Sequence, residues 1–475
     1  MKLLRNLSLG AALGALTVAG GLLGAATTAS AQGAPPGFFQ IPGTTTALLI
    51  TGQVGTRAIY DSVSAPDYPA FMATDSDILI PLFIPASVNT TGTNNAKGSF
   101  HFSTRDFSFG FITSTPTAWG PMETVLIMGA GSNLNDPGPV GKSFQNVGVV
   151  VAFGTLGPWM AGMNGSLIGD EQATPDTMGE PLAIPGQLGG LQPSVRYTWK
   201  GPGGWSLAGS LEEPFSSGVA NDPIGNFPNQ LLPFGAPTFG GQWSPANPYS
   251  TGTIGSRTTW PDVIVKVRLD QPWGHVALAG LVHDLLVNCQ VNCTSPFGNG
   301  TMPNYDKVGY GFNLTGHINT WGKDTLKGGV FAGKGIDHYI GDSGNAGLQI
   351  GTGPQCNGGA VGWCPGAYVP FEWGIYAAYQ HFWTDSLRST LGAGYNHVSI
   401  NRNLFQNSPT SGVVLGNVFQ TTHWSIAANL VWSPVPKVDL GVEYIYYHIN
   451  FASEGPGAST AGHDHRIEAE SIFHF

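Results

Sequence analysis

From Asp262 to Asp270 the chain alternates residue by residue, with Val263, Val265, Val267 and Leu269 on one parity and Asp262, Lys266, Arg268 and Asp270 on the other. A period of two belongs to a β-strand with one apolar and one polar face, because successive side chains of a strand point to opposite sides. The spacing predicts further strands of this kind over 48–60, 194–200, 205–212, 275–283, 307–319, 387–397, 424–432, 438–447 and 466–475. Strands with weaker alternation, several of them apolar on both parities, are predicted over 100–113, 123–128, 144–153, 156–163, 324–332 and 373–383. The sixteen segments are joined in alternation by seven short connections, such as "GT", "GPGG", "QPWG" and "SPVPK", and by eight long polar loops, of which 164–193 is the third. The short ones are built from turn formers.

Composition decides what such strands face. Only 10% of residues are charged, against roughly 25% in ordinary soluble domains, while aromatics reach 11% and glycines number 69. A surface so poor in charge meets something other than water. Residues 1–31 read as a secretory signal peptide: Lys2 and Arg5 precede a charge-free run over 7–23, and Ala29 and Ala31 form an Ala-x-Ala cleavage site before Gln32. After it comes no second run of about 20 apolar residues, so helical membrane spans are excluded. The remaining way to hold backbone in lipid with every N–H and C=O paired is a closed barrel.

Residues 32–475 are therefore expected to form one all-β domain, a transmembrane antiparallel β-barrel of about sixteen strands. Short turns would face the periplasm and long loops the outside. Trp119, Trp199, Trp205, Trp273, Trp321, Trp383 and Trp432 stand beside short connections, where amphipathic rings anchor at a membrane interface. The final strand, "RIEAESIFHF", has no later sequence to pair with, and closure onto the first strand removes its free edge. A propeller or solenoid would need a repeat of fixed period, and none is found.

Signals for other chemistry are weak. Cys289 with Cys293 and Cys356 with Cys364 form two close pairs that read as disulfides outside the cytosol, since no His or carboxylate stands beside either pair as a zinc ligand set requires. "GDSG" at 341–344 lacks a recognisable His and Asp framework, and "VGKS" ending at Ser143 lacks the glycine that a phosphate loop needs. His463 and His465 in "GHDHR" could bind a divalent cation, but a solvated loop at a strand mouth is the simpler reading. No catalytic residue, metal or cofactor is assigned, and the net charge of −10 gives nucleic acid no footing.

The segment "GFFQIPGTTTALLITGQVGTRAIYD" resembles the first strand of proteobacterial trimeric porins. "FSTRDFSFGFITSTPTAWG", "LQPSVRYTW" and "LVWSPVPKVDLGVEYIYY" follow in the order found in the DcaP-like porin family. The resemblance implies a channel in the outer membrane of a Gram-negative bacterium, a homotrimer among lipid and lipopolysaccharide, passing small hydrophilic solutes. It also implies a preference for small organic anions such as dicarboxylates. That preference is weakened here, because the family pattern carries further arginines where this chain has Ser108, Ser114 and Leu191. By the same resemblance the terminal Phe475 is the mark read during barrel insertion.

With the polar parity taken as inward, the lumen holds the basic residues Arg57, Arg105, Arg196, Lys266, Arg268, Lys307, Arg388 and Arg466 and the acids Asp262, Glu443, Glu468 and Glu470. In many sixteen-stranded porins the third loop folds inward and narrows the pore. Here that loop would bring Asp170, Glu171, Asp176 and Glu180 opposite the basic wall and set a transverse field across a constriction. A barrel hydrolase and a plugged structural or adhesive barrel are the alternatives.

Overall fold

The computed structural model describes residues 37–63, 97–103, 106–130, 147–178, 183–214, 253–257, 259–291, 304–340, 348, 352–353, 362–363, 366–401, 418–453 and 461–475. The strands are β1 (Ala47–Val63), β2 (in two pieces, Lys97–Ser103 and Ser108–Thr117), β3 (Gly120–Ala130), β4 (Val147–Leu156), β5 (Trp159–Gly165), β6 (Leu191–Lys200), β7 (Trp205–Glu212) and β8 (Asp262–Gln271). They continue as β9 (Gly274–Val291), β10 (Tyr305–Asn319), β11 (Thr325–Lys334), β12 (Phe371–Phe382), β13 (Leu387–Val398), β14 (Val418–Trp432), β15 (Val438–Ser453) and β16 (Ala461–His474). The main sheet has 19 segments. Three of them are additions: the second piece of β2, the stretch Thr253–Arg257 that pairs with β9 beyond the end of β8, and Phe39–Gln40 laid against β1. Sixteen strands remain, each antiparallel to its neighbours.

The sheet closes where the sequence required it. β16 pairs with β1 from Gln53↔His474 to Asp61↔Arg466, while β1 pairs with both pieces of β2 on its other side. Phe475 completes the seam: its N–H donates to Gly52 O at 3.0 Å and its carbonyl accepts from Gly52 N–H at 3.4 Å. Gly52 must be glycine, since a Cβ there would collide with the Ser108 carbonyl oxygen and lie 2.5 Å from the Phe475 ring. Closure of β16 onto β1 pairs backbone groups that an open edge would leave bare in lipid, where each costs several kcal/mol.

The two parities separate cleanly. On β8, Val265 is 49% exposed while Ile264 and Asp262 are at 0%; on β16, Ile467 is 53% exposed while Arg466 and Glu468 are at 0%. The exposed parity carries valines, leucines and aromatics around the barrel, as a lipid-facing wall must. Trp119, Trp199, Trp205, Trp273, Trp321, Trp383 and Trp432 are all exposed near the short turns, and Trp159 joins them.

Three local expectations are corrected. The turn placed at Gly154-Thr155 lies instead at Gly157-Pro158: Thr155 stays in register with Glu123 and Met160, and Gly157 supplies the positive φ of 57° that the tight turn needs. The strand expected unbroken over 100–113 is interrupted after Ser103, and the loop expected over 213–261 contains the added stretch Thr253–Arg257. Strands apolar on both parities also acquire a reason. On β2 to β5 the inward Ile112, Val125, Ile127, Val151, Phe153 and Met160 pack into one cluster with Phe38 and Leu49.

Candidate functional site

Between β5 and β6 the chain does not stay outside. Residues 166–178 run along the inner wall and residues 183–190 return, and Ser166 N–H donates to Gly190 O at 2.8 Å where the two limbs meet. The outgoing limb is held by inward side chains of successive strands. Leu167 N–H donates to Glu212 of β7 at 2.8 Å, and Ile168 O accepts from Asn313 of β10 at 2.9 Å. Gly169 O accepts from Lys266 of β8, and Thr174 O accepts from Lys327 of β11 at 2.6 Å. Asp176 accepts from Gln380 of β12 and from Arg388 of β13, the latter at 3.3 Å, while its carbonyl accepts from Asn429 of β14 at 2.7 Å. Met178 N–H reaches Glu443 of β15 at 3.0 Å.

On the returning limb, Ser425 donates to Ala183 O. Gly186 then approaches the β12 backbone so closely that a Cβ would lie 2.5 Å from Ile375 O. A second inward piece, Ile336–Ile340, locks this limb: Leu188 bridges Ile340, and Gly189 N–H donates to Tyr339 O at 2.8 Å. Leu167, Ile168, Leu188, Ile336, Tyr339 and Ile340 share one buried cluster with wall residues. No feature of the sequence had marked this segment.

Asp170 is held by three side chains of the wall. His275 Nε2 lies 2.7 Å from its Oδ2, Thr315 Oγ1 donates to the same oxygen at 2.7 Å, and Arg268 approaches Oδ1 at 3.4 Å. Burial would push its carboxyl up, but the His275 hydrogen bond and the charges of Lys266, His275 and Arg268 outweigh this and hold it well below the ordinary range. Glu171 goes the other way, because burial raises its carboxyl well above that range against the pull of Arg196 and Lys266.

The wall residues anticipated from sequence fall into three groups. Arg196, Lys266, Arg268 and Arg388 face inward and touch the loop or its root; Arg196 donates to Gly165 O at 2.6 Å. Arg268 and Arg388 do not stand across a gap from the loop's acids but contact Asp170 at 3.4 Å and Asp176 at 3.3 Å, while Lys266 and Arg196 bond the carbonyls of Gly169 and Gly165, so part of the field expected between acids and bases is closed into ion pairs. The second group faces inward but is withdrawn from water. Arg57 pairs with Asp106 at 2.6 Å, and Arg466 pairs with Asp61 at 2.7 Å and Glu468 at 3.4 Å, with side-chain exposure of 2% or less throughout. Asp262 is bonded to His283 at 2.8 Å and to Tyr339, and Glu443 and Glu470 are buried as well. The third member is Lys307, which is inward in parity and exposed.

Arg105, Glu180, Cys293, Cys356, Cys364 and the signal segment 1–31 lie outside the described residues, and of Cys289 only the backbone within β9 is described. Lys327, His275 and His317 were not anticipated, although each sits on the inward parity of its strand; Lys327 was hidden because β11 reads as apolar on both faces.

Among solved structures, the outer membrane channel DcaP of Acinetobacter baumannii shares this fold with a TM-score of 0.62 at 16% identity, covering 92% of this chain and 99% of that one. The anion-selective porin from Comamonas acidovorans matches at a TM-score of 0.47 and 8% identity, over 90% of this chain and 100% of that one. OmpT of Vibrio cholerae in its trimer form matches at 0.45 and 7%, over 91% and 100%. No curated protein matches. A family model described as "Porin subfamily" matches residues 29–471. A closed barrel with an apolar outer face, matched by that family over nearly its whole length, belongs to the porin family and forms a channel in the outer membrane of a Gram-negative bacterium.

Proposed function

We propose that the protein is a passive diffusion channel for small hydrophilic solutes in which the loop 166–190 sets the narrow part of the path, with a weak preference for small organic anions. The observation that carries the preference is the inward set Arg196, Lys266, Arg268, Lys327 and Arg388, five cations that border the loop from β6 to β13 against the four acids of its sequence, Asp170, Glu171, Asp176 and Glu180. Arg268, paired also with Asp270 at 2.7 Å, and Arg388, paired also with Asp439 at 3.3 Å, keep 19% and 13% of their side-chain surface exposed for a passing carboxylate. In this reading Arg57, Arg466 and Glu468 shape the opposite wall through their mutual pairs, and Lys307 borders the outer mouth. Glu180 and Arg105 keep the roles expected from the sequence, and the four cysteines remain candidates for two disulfides. A homotrimer is proposed from the resemblance to trimeric porins, and Phe475 as the insertion mark.

Purified protein in planar bilayers in a salt gradient tests the reading. Discrete conductance steps with a reversal potential on the anion side are expected, moving toward cations in Arg268→Ala. A second reading, a plugged structural barrel, draws on the buried inner wall at Arg57, Arg466 and Glu468, and silence in every preparation would decide for it.

A further inference from the structure

His275 on β9 and His317 on β10 face each other directly in the register, and their Nδ1 atoms are 2.6 Å apart with the rings at 70°. At that distance one nitrogen must carry a proton and the other must accept it. His275 also points Nε2 at Asp170 Oδ2, and an ionised carboxylate only accepts. The network therefore assigns both tautomers: His275 carries its proton on Nε2, and His317 donates Nδ1–H to His275 Nδ1. His275 is 1% exposed, so its ring has no water to turn to.

We infer that His317 is a positioning residue for the channel: it fixes the tautomer through which His275 grips Asp170 and so seats the outgoing limb of the inner loop. This rests on the reading of residues 166–190 as the constriction.

The proton count makes the grip sensitive to acid. The neutral pair holds two ring protons, both used in bonds. A third can be taken on His317 Nε2, which points away from His275, without breaking anything. A fourth has only His275 Nδ1 to occupy, where it would meet the His317 N–H head on, and the two rings must part. The groups facing the pair are Asp170 on the loop, Lys266, Arg268 and Asp270 on β8, Thr315 on β10 and Lys327 on β11. Asp170 favours added protons, and the three cations oppose them.

Two measurements test this. Ring-nitrogen NMR of 15N-histidine-labelled barrel in detergent, which needs no conductance, is expected to show His275 as the Nε2–H tautomer near neutral pH and as a mixture in His317→Ala; an Nδ1–H tautomer in the wild type would overturn the assignment. In bilayers, wild-type current is expected to be steady near neutrality and to break into sublevels in acid. His317→Asn, whose amide can donate to His275 Nδ1 and, once that nitrogen is protonated, turn its oxygen to accept from it, is expected to lose that acid transition. An unchanged transition in His317→Asn would sink the inference while leaving the channel intact. Wild-type silence at every pH would instead sink the channel reading, with the NMR result still deciding the tautomer.

Discussion

At Gly186 the inner loop lies close against the wall, and replacing this glycine separates the loop's seating from the barrel's integrity. Its φ is +89°, a region that an L-residue other than glycine enters at a cost of roughly 1–2 kcal/mol. An added Cβ would stand 2.5 Å from Ile375 O, 2.8 Å from Ile375 C and 2.9 Å from Ile375 N, all backbone of β12 and unable to turn aside. Retreat to ordinary contact needs about 0.9 Å, the difference between 2.5 Å and roughly 3.4 Å, and such overpacking costs on the order of 1–3 kcal/mol. Gly186→Ala should therefore destabilise the seated loop by about 2–5 kcal/mol while leaving every strand pairing intact. Single-channel recording should show an altered unit conductance with sublevels, and heat-modifiable mobility on gels should show a folded barrel. The matched control is Gly189→Ala, three residues along the same limb, where an added Cβ meets nothing within 4 Å and φ is unremarkable. Wild-type currents in a folded Gly186→Ala barrel, or equal disturbance in both variants, would refute the claim that this limb borders the conducting path.

Other outcomes follow from the same geometry. Gly52→Val should block closure of β1 with β16, because its side chain would occupy the space of Ser108 O and the Phe475 ring, and outer-membrane yield measured by immunoblot should collapse. The raised Glu171 carboxyl means the folded state holds that proton more tightly than the unfolded state. Its contribution is fully present below the ordinary value of roughly 4.3 and is lost as pH rises toward the folded value. Glu171→Gln should then change little near pH 4 and stabilise the protein in alkaline buffer, read as the temperature of the heat-modifiable shift. Asp170 has the opposite sign: its lowered carboxyl keeps its stabilisation present above roughly pH 4 and loses it only in stronger acid, so Asp170→Asn should unsettle the current at neutral pH. Lys323 and Asp385 pair between two separate turns with side chains 53% and 94% exposed, and Lys323→Ala should leave the melting temperature unchanged, since exposed ion pairs are screened and mobile.

The barrel was readable because each strand separates two environments, and a period of two records which side is which. Val265 and Lys266 are neighbours in sequence and face opposite surroundings, so the sorting needs no knowledge of the rest of the chain. The loop is different in kind. Asp170 and Asp176 read as solvated acids from their own neighbourhood, and their partners Arg268 and Arg388 lie 98 and 212 positions away. Nothing local distinguishes an acid that meets water from one that meets an arginine. The sequence reading put opposite charges on opposite sides of a gap, whereas folding brings Asp170 to Arg268 and Asp176 to Arg388, and desolvated charges do not remain apart when a partner is within reach. It follows that the inner cations mainly fix where the loop lies, and only the exposed fraction of Arg268 and Arg388 remains to sense a solute. Charge removal there should thus alter bore and selectivity together, and a variant that shifts reversal potential at constant conductance would show that the two roles are separable.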